Sequence, residues 1–361
     1  MDNTLISNIP IGVRSTYLKH GLYVVPTYVN LLGKLTNLKS KIAINNLDSF
    51  SDNSNYLELF KDNVNQVTNE KNLFLCDTSF LDDWETGVEK LIKLGYIFRK
   101  KKMIKSCSCK RVEYDESAKI YSKKLTIEKG SDALCGICKS QLKSKEMEVL
   151  VFKTPTEIEN PLVYPLNHEK NVYNQLNKML GIELVISKQK NTGFVIEVDK
   201  FSFNIDIEFI NLLMVANQSF EKKVIVSSVH SVYHQILTYF LHYIIYKDQD
   251  YLMFYVSYLV INMKNQNRHL DTDIKLLDIG YNIDLKIMIL ISSSWRRDVS
   301  RWRTDYLNNS KFKDNYYEKN SIVENSFKKF NNKIIYSDFK EIVDKVKDIR
   351  KVTRDIYEKI Y

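Results

Sequence analysis

The chain opens with a short apolar run over residues 4–10, and then with residues 21–38, where Leu22, Val25, Val29, Leu32 and Leu35 recur at three- and four-residue steps. The first pattern predicts a strand and the second an amphipathic helix, joined by a loop over 11–21. A further short strand is expected over 41–44. Strand, helix and strand in that order predict a parallel sheet with a right-handed crossover. A polar, Asn-rich stretch with Asp48 and Asp52 follows, and then residues 80–94 predict a second helix closed by Gly95 at its C-cap. Strand-like runs return at 149–152, 184–187, 194–198 and 224–228, with a long helix expected over 229–246 and another apolar run at 251–263. From 271 onward the pattern is helical, ending in the stripe Ile342, Val346, Ile349, Val352, Ile356 and Ile360. Residues 224–246 hold no Lys, Arg, Asp or Glu and are long enough to cross a bilayer. Their Ser227, Ser228, His230, Ser231, His234, Gln235 and His242 favour a buried strand followed by a buried helix.

Composition changes this picture little. The 361 residues are 44% hydrophobic and 27% charged, which excludes a disordered or fibrous chain. Fifty-three Lys and Arg against 44 Asp and Glu leave a formal charge of +9, a mild argument for a polyanionic partner. Only 10 glycines mean few tight phosphate-cradling loops. The five cysteines, an odd number, fit a reducing compartment, and no basic-then-apolar leader opens the chain, so a cytoplasmic protein without a membrane partner is expected.

Four of the cysteines form two close pairs, Cys107-Ser-Cys109 and Cys135-Gly-Ile-Cys138, inside a basic segment poor in large aliphatics. Thiolates so spaced can share one ion at about 2.3 Å, and two pairs complete a tetrahedron, so a structural Zn²⁺ site is expected. A closed four-thiolate site positions something rather than performing chemistry. Arg99, Lys100, Lys101, Lys102, Lys105, Lys110 and Arg111 crowd its approach, which suits contact with phosphates, although a solvated basic face explains the charge as well. Cys76 stands apart and reads as a core residue.

In order along the chain come Arg14-Ser-Thr-Tyr17-Leu18-Lys19-His20-Gly21-Leu22, a helix, Ile42-Ala-Ile44-Asn45-Asn46-Leu47-Asp48, Leu91-Ile92-Lys-Leu94-Gly95-Tyr96, the cysteine segment, and Leu276-Leu277-Asp278-Ile279-Gly280-Tyr281 through Trp295. This series resembles the catalytic half of a class I aminoacyl-tRNA synthetase, most nearly the glutamyl type. The resemblance implies an α/β fold, a Rossmann-like (HUP-type) parallel sheet split by a zinc-binding insertion and followed by a short helical region. Its parts would be the first catalytic half at 1–98, the insertion at 99–148, the second half at 149–270 and the helical part at 271–361.

The same resemblance implies activation of an amino acid, or a similar carboxylate, by ATP with Mg²⁺ and transfer of the acyl group to tRNA or another nucleophile. Lys19, His20 and Gly21 would hold the nucleotide together with Ser227, Ser228 and His230, and His20 would be catalytic. Arg14, Asn46, Asp48, Tyr233 and Gln235 would bind the substrate. Lys19 stands where the family's first His falls. No Lys-x-Ser-Lys phrase follows residues 251–261, where Asn262-Met-Lys264-Asn-Gln-Asn-Arg268-His269 offers Lys264 and Arg268 as catalytic substitutes. Two other readings stand beside this one: an inactive synthetase paralogue that binds tRNA or a protein, and a zinc-containing nucleic-acid-binding protein of another fold. His230 and His234 share one helix face at i and i+4, but with no Glu between them in a zinc-protease pattern they read as helix-start histidines. Trp295, Arg296, Arg297, Arg301, Trp302 and Arg303 mix aromatic and basic side chains, as RNA-binding faces and packed helices with snorkelling Arg both do.

Overall fold

Consecutive strands here bury both of their faces, which a parallel sheet covered by helices on each side requires. The computed structural model describes residues 4–13, 20–45, 54–68, 70–80, 83–108, 113–115, 127–128, 134–135, 138–189, 194–220, 222–247, 250–256, 258–262 and 299–303. Five strands lie parallel in the order Leu162–Tyr164, Tyr251–Val256, Lys222–Ser228, Thr4–Asn8 and Lys39–Ser40. Beside them, Ile42–Asn45 takes Ile11–Gly12 and Phe74–Cys76 as parallel neighbours.

Among the described residues, six α-helices cover this sheet. Ile6, Ile42, Ile44, Val224, Val226, Leu252 and Phe254 face α1 (Val24–Thr36) and α2 (Ser54–Thr68). The alternate residues Ala43, Leu75, Ile225, Tyr251, Met253 and Tyr255 face α3 (Trp84–Lys93), α4 (Glu169–Met179), α5 (Ile207–Ala216) and α6 (Val232–Tyr246). This is the Rossmann-like α/β arrangement expected from the sequence. Among the described residues no helix is long and apolar enough to cross a membrane, and residues 224–246 divide into a strand and α6.

Local chemistry explains where elements stop. Helix α3 ends with Gly95 at φ +76°, where Tyr96 N donates to Leu91 O and Gly95 N to Ile92 O, both at 2.9 Å. That double bond is the glycine-closed turn the sequence predicts. Gly33 lets α1 press on the strand that follows it, since a Cβ there would meet Ser40 Oγ at 2.6 Å and Ser40 Cβ at 2.8 Å.

Two expectations are corrected. The polar stretch after Asp48 contains α2, whose Leu57, Phe60, Val64 and Val67 form one buried stripe in an otherwise polar helix. Residues 299–303, expected as helix, form a strand, Val299–Arg303, because Tyr258–Asn262 offers them a parallel edge that β-branched and aromatic residues suit. The amphipathic stripe from Ile342 to Ile360 lies outside the described residues.

Between α3 and strand Leu162–Tyr164 the chain leaves the sheet as an antiparallel ribbon, Ile97–Ser106 against Lys143–Lys153, in continuous register from Ile97↔Phe152 to Ser106↔Lys143. The basic residues at its base are largely engaged within the protein. Lys100 reaches Glu183 at 2.8 Å, Lys102 reaches Asp115 at 2.7 Å and Glu183 at 3.3 Å, and Arg99 lies 3.8 Å from both Glu148 and Asp199 and over the Phe201 ring. The Lys100 hydrogen bond holds the Glu183 carboxyl below the usual carboxylate range.

At the opposite edge of the sheet from the strand C-termini, Lys223 is fully buried. Its ammonium donates to Ala216 O (2.5 Å), lies 2.8 Å from His242 Nδ1 and sits over the Tyr246 ring. Lys223→Met would strip Ala216 O and His242 Nδ1 of a buried donor. A loss of about 2–4 kcal/mol is expected in urea unfolding, with part of it restored in Lys223→Met/His242→Leu; a single variant as stable as the wild type would show the ammonium to be dispensable.

Candidate functional site

The strand order reverses direction at Thr4–Asn8, from which the chain adds strands first on one side and later on the other. In open α/β sheets that switch point opens a crevice at the strand C-termini. Register shows how it opens here. The ladder between Thr4–Asn8 and Lys222–Ser228 runs from Thr4↔Lys222 to Asn8↔Val226, with Ile9 N donating to Val226 O at 3.3 Å. Beyond Pro10 the chain moves away and pairs Ile11 with Ile44 and Gly12 with Asn45, and Val13 N then donates to Asn45 O at 3.0 Å. Ser227 and Ser228 stay with Tyr255 and Val256. The two halves of the sheet therefore diverge between Ile11–Gly12 and Ser227–Ser228.

Asn8 holds this divergence together. Its Oδ1 accepts from Ala43 N at 2.9 Å, and its Nδ2 donates to Ala43 O at 3.0 Å and to Ile9 O at 2.8 Å. The side-chain amide thus replaces a ladder pair where the two backbones part, and it does so fully buried, where an unmade hydrogen bond is costly. Ser7 Oγ adds a bond to Lys41 O at 2.8 Å. Neither residue figures among the sequence-based candidates. The available signal was an Asn interrupting an apolar run just before Pro10.

The floor of the crevice is made by the turn His20–Tyr23 leading into α1. Tyr23 anchors it: fully buried, stacked on Phe60 at 5.6 Å, its hydroxyl accepting from Asn63 Nδ2 at 3.1 Å, with burial pushing its phenol up. Thr27 Oγ1 donates to Tyr23 O at 2.7 Å. The first turn of α1 carries no acidic residue of its own to offset the helix dipole. The His20 and Gly21 backbones thus sit at the expected place. Arg14, Lys19, Asn46, Asp48, Lys264 and Arg268 lie outside the described residues.

On the far side, Ser227 Oγ donates to Gln235 Oε1 at 2.9 Å, and Gln235 Nε2 donates to Ile225 O. Gln235 is fully buried and fastens the first turns of α6 to the strand. Tyr233, Ser228 and His230 line the same rim, Tyr233 and Ser228 half-buried and His230 exposed. His234 lies 3.8 Å from Glu208, in keeping with a helix-start histidine. His168, just before α4, is buried and edge-on to Tyr255 at 5.7 Å.

At the far end of the ribbon the stretches holding Cys107 and Cys138 meet. Cys107 is buried and Cys138 exposed; Ser108 Oγ donates to Ser140 Oγ at 3.1 Å, and Cys138 Sγ lies 3.0 Å from that same oxygen. Leu134–Cys135 pairs with Ile127–Glu128. Among the described residues no group of three or more His, Cys, Asp or Glu stands together; Cys109 lies outside them, as does the Cys135 side chain. Cys76 is buried in the main core, where burial pushes its thiol up to about 11.

No family model and no curated protein matches the chain. Solved structures do. The chain is similar to Mycobacterium tuberculosis methionyl-tRNA synthetase in complex with methionyl-adenylate, with 9% identity and a TM-score of 0.57 over 90% of this chain and 70% of that one. A second structure of that enzyme bound by methionyl-adenylate gives 8% and 0.58 over 90% and 71%, and its apo form 9% and 0.56 over 90% and 68%. At such identities the likeness is one of fold alone, a class I synthetase-like α/β fold. These similar structures are methionyl enzymes, and they lend no support to the glutamyl type expected from the motifs. Degenerate phrases such as Leu94-Gly95-Tyr96 reflect a helix closed by glycine, a local need that does not separate one subtype from another.

Asn8→Ala would orphan both peptide groups of Ala43 and should lower the unfolding free energy by about 2–4 kcal/mol. Asn8→Asp should cost at least as much at neutral pH, since a carboxylate cannot donate to Ala43 O. Urea denaturation of both variants tests this, and a cost below that of Ser7→Ala would refute it.

Proposed function

We propose that the protein activates a carboxylate, an amino acid or a near relative, with ATP and Mg²⁺ to form an acyl-adenylate, and passes the acyl group to tRNA or another nucleophile. The observation that supports this most is the crevice at the switch point, floored by the His20–Tyr23 turn and the N-terminus of α1, in a fold whose solved likenesses were captured with methionyl-adenylate. In this reading the α1 N-terminus and His20 hold the phosphates. The substrate carboxylate lies between the diverging strand ends and attacks the α-phosphorus, with Arg14, Asn46 and Asp48 contacting the substrate, Tyr233 and Gln235 shaping its pocket, and Lys19, Gly21, Ser227, Ser228 and His230 on the nucleotide side. The protein's own work is orientation and charge stabilisation.

The absence of a Lys-x-Ser-Lys phrase favours a second reading, a paralogue that binds tRNA without activating anything. ATP–pyrophosphate exchange with each amino acid in turn separates the two. Exchange above background with at least one amino acid is expected. Silence across the set, together with salt-dependent tRNA binding, would replace the first reading by the second.

The insertion is proposed to hold one structural Zn²⁺ through Cys107, Cys109, Cys135 and Cys138. Four thiols are the donor set that such an ion takes, and the Ser108–Ser140 contact brings the two cysteine segments to one end of the ribbon. Metal analysis of the full chain should find about one equivalent of zinc, reduced in Cys107→Ser and Cys138→Ser; under about half an equivalent in the wild type would undo the site.

A further inference from the structure

The foot of α6 is fastened to the sheet by two ionisable groups that the crevice does not use. His242, fully buried near the C-terminal end of the helix, sets its Nδ1 2.8 Å from the Nζ of Lys223. Lys223 is also fully buried, in the second position of strand Lys222–Ser228. An ammonium has donors and no lone pair, so this bond requires a neutral imidazole with its lone pair on Nδ1. With the proton moved to the ring, the lysine nitrogen becomes the acceptor. In either form the pair holds one positive charge, and a second proton would set two cations 2.8 Å apart in a site closed to solvent.

The groups around His242 account for one cation. Tyr246 lies 5.2 Å from its ring and Tyr251 5.8 Å, with Tyr239 5.0 Å beyond Tyr251. Burial pushes the phenols of Tyr246 and Tyr251 up, so both stay neutral at any working pH. From α3, Lys90 donates to Ile245 O at 3.0 Å and adds a second ammonium over the Tyr246 ring, 5.7 Å from its centroid against 4.7 Å for Lys223. The end of α5 contributes Ala216 O to Lys223 and Asn217 O to the Tyr246 hydroxyl, and just past it Lys41 reaches Gln218 and Lys39 lies over Phe220. Asp250, ahead of strand Tyr251–Val256, pairs with Lys222 at 3.2 Å. Strand Thr4–Asn8 brings Thr4 and Leu5 alongside, and α4 turns Val172, Leu176 and Met179 inward, none of them ionisable.

We propose that Lys223 and His242 form an acid-sensitive latch: uptake of a second proton opens their contact and releases the last turn of α6 from the sheet. A histidine in an unfolded chain titrates near pH 6.5. The closed pair refuses the second proton and the open form accepts it, so opening is unaffected above about pH 7 and roughly tenfold more favourable by about pH 5.5. The other end of α6 is insulated, since the bonds of Gln235 to Ser227 and Ile225 involve no group that titrates in this range. Acid therefore loosens the helix from its foot while the crevice rim stays clamped.

Hydrogen exchange of the full chain at about pH 7.5 and about pH 5.5, corrected for the intrinsic exchange rate, tests this. Protection of the Lys247 amide, which donates to Tyr243 O, and of its neighbours in the last turn should fall about tenfold on acidification. The first turns of α6 should change less than about twofold. His242→Asn keeps an acceptor close to the Nδ1 position and cannot titrate, so its last turn should also change less than about twofold between the two conditions. Should that variant fail to fold, Lys223→Met/His242→Leu, which carries neither charge, should show the same loss of acid response. A wild-type last turn that ignores pH, a variant that responds as the wild type does, or a response spread equally over both ends of α6 would each overturn the latch.

Discussion

The whole arrangement depends on a place where a parallel sheet has to come apart without leaving peptide groups bare. Strand Thr4–Asn8 is the last element shared by both halves, and beyond it one half follows Ile11–Gly12 and the other follows Ser227–Ser228. A ladder cannot diverge for free, because every buried N–H and C=O needs a partner. The Asn8 amide, with one acceptor and two donors, takes over for the strand that has left and serves both polar groups of Ala43. The crevice, the turn at its floor and the α6 rim are all positioned relative to that substitution.

Most of the scaffold could be read from the residues. Apolar spacing located α1, α3 and α6, Gly95 marked the end of α3, and residues 224–246 form the buried strand and helix that their polar side chains favour. What escaped reading has a physical reason in each case. Helix α2 buries only a narrow stripe, so Asn and Asp dominate its composition while Phe60 and Val64 do the packing. The pairing of Val299–Arg303 with Tyr258–Asn262 is a contact between distant segments, and no local period announces it. Helix caps and short strands recur wherever their local geometry does, so such phrases do not separate one subtype from another.

The candidate site was legible only in outline. The His20 turn and the serines after Val226 lie at the strand ends, whereas Asn8, the residue that builds the opening, carries no motif and shows itself only once the register is known. Gln235 illustrates the reverse. It was expected to bind substrate, and its amide is already committed to Ser227 and Ile225. Charge behaves in the same way: a cluster of basic residues read along the chain becomes, at Arg99, Lys100 and Lys102, a set of internal ties to acidic partners.

The ribbon leaves the body at Ile97 and comes back at Phe152, and these two residues are directly opposite one another. Its two ends are therefore already in contact, and the sheet imposes no span that the material between them must bridge. Lengthening or trimming that material changes only a slowly growing closure entropy. The sheet is indifferent to what hangs from this stalk, so the distal end is free to diverge in size and chemistry on its own schedule while the crevice is held fixed.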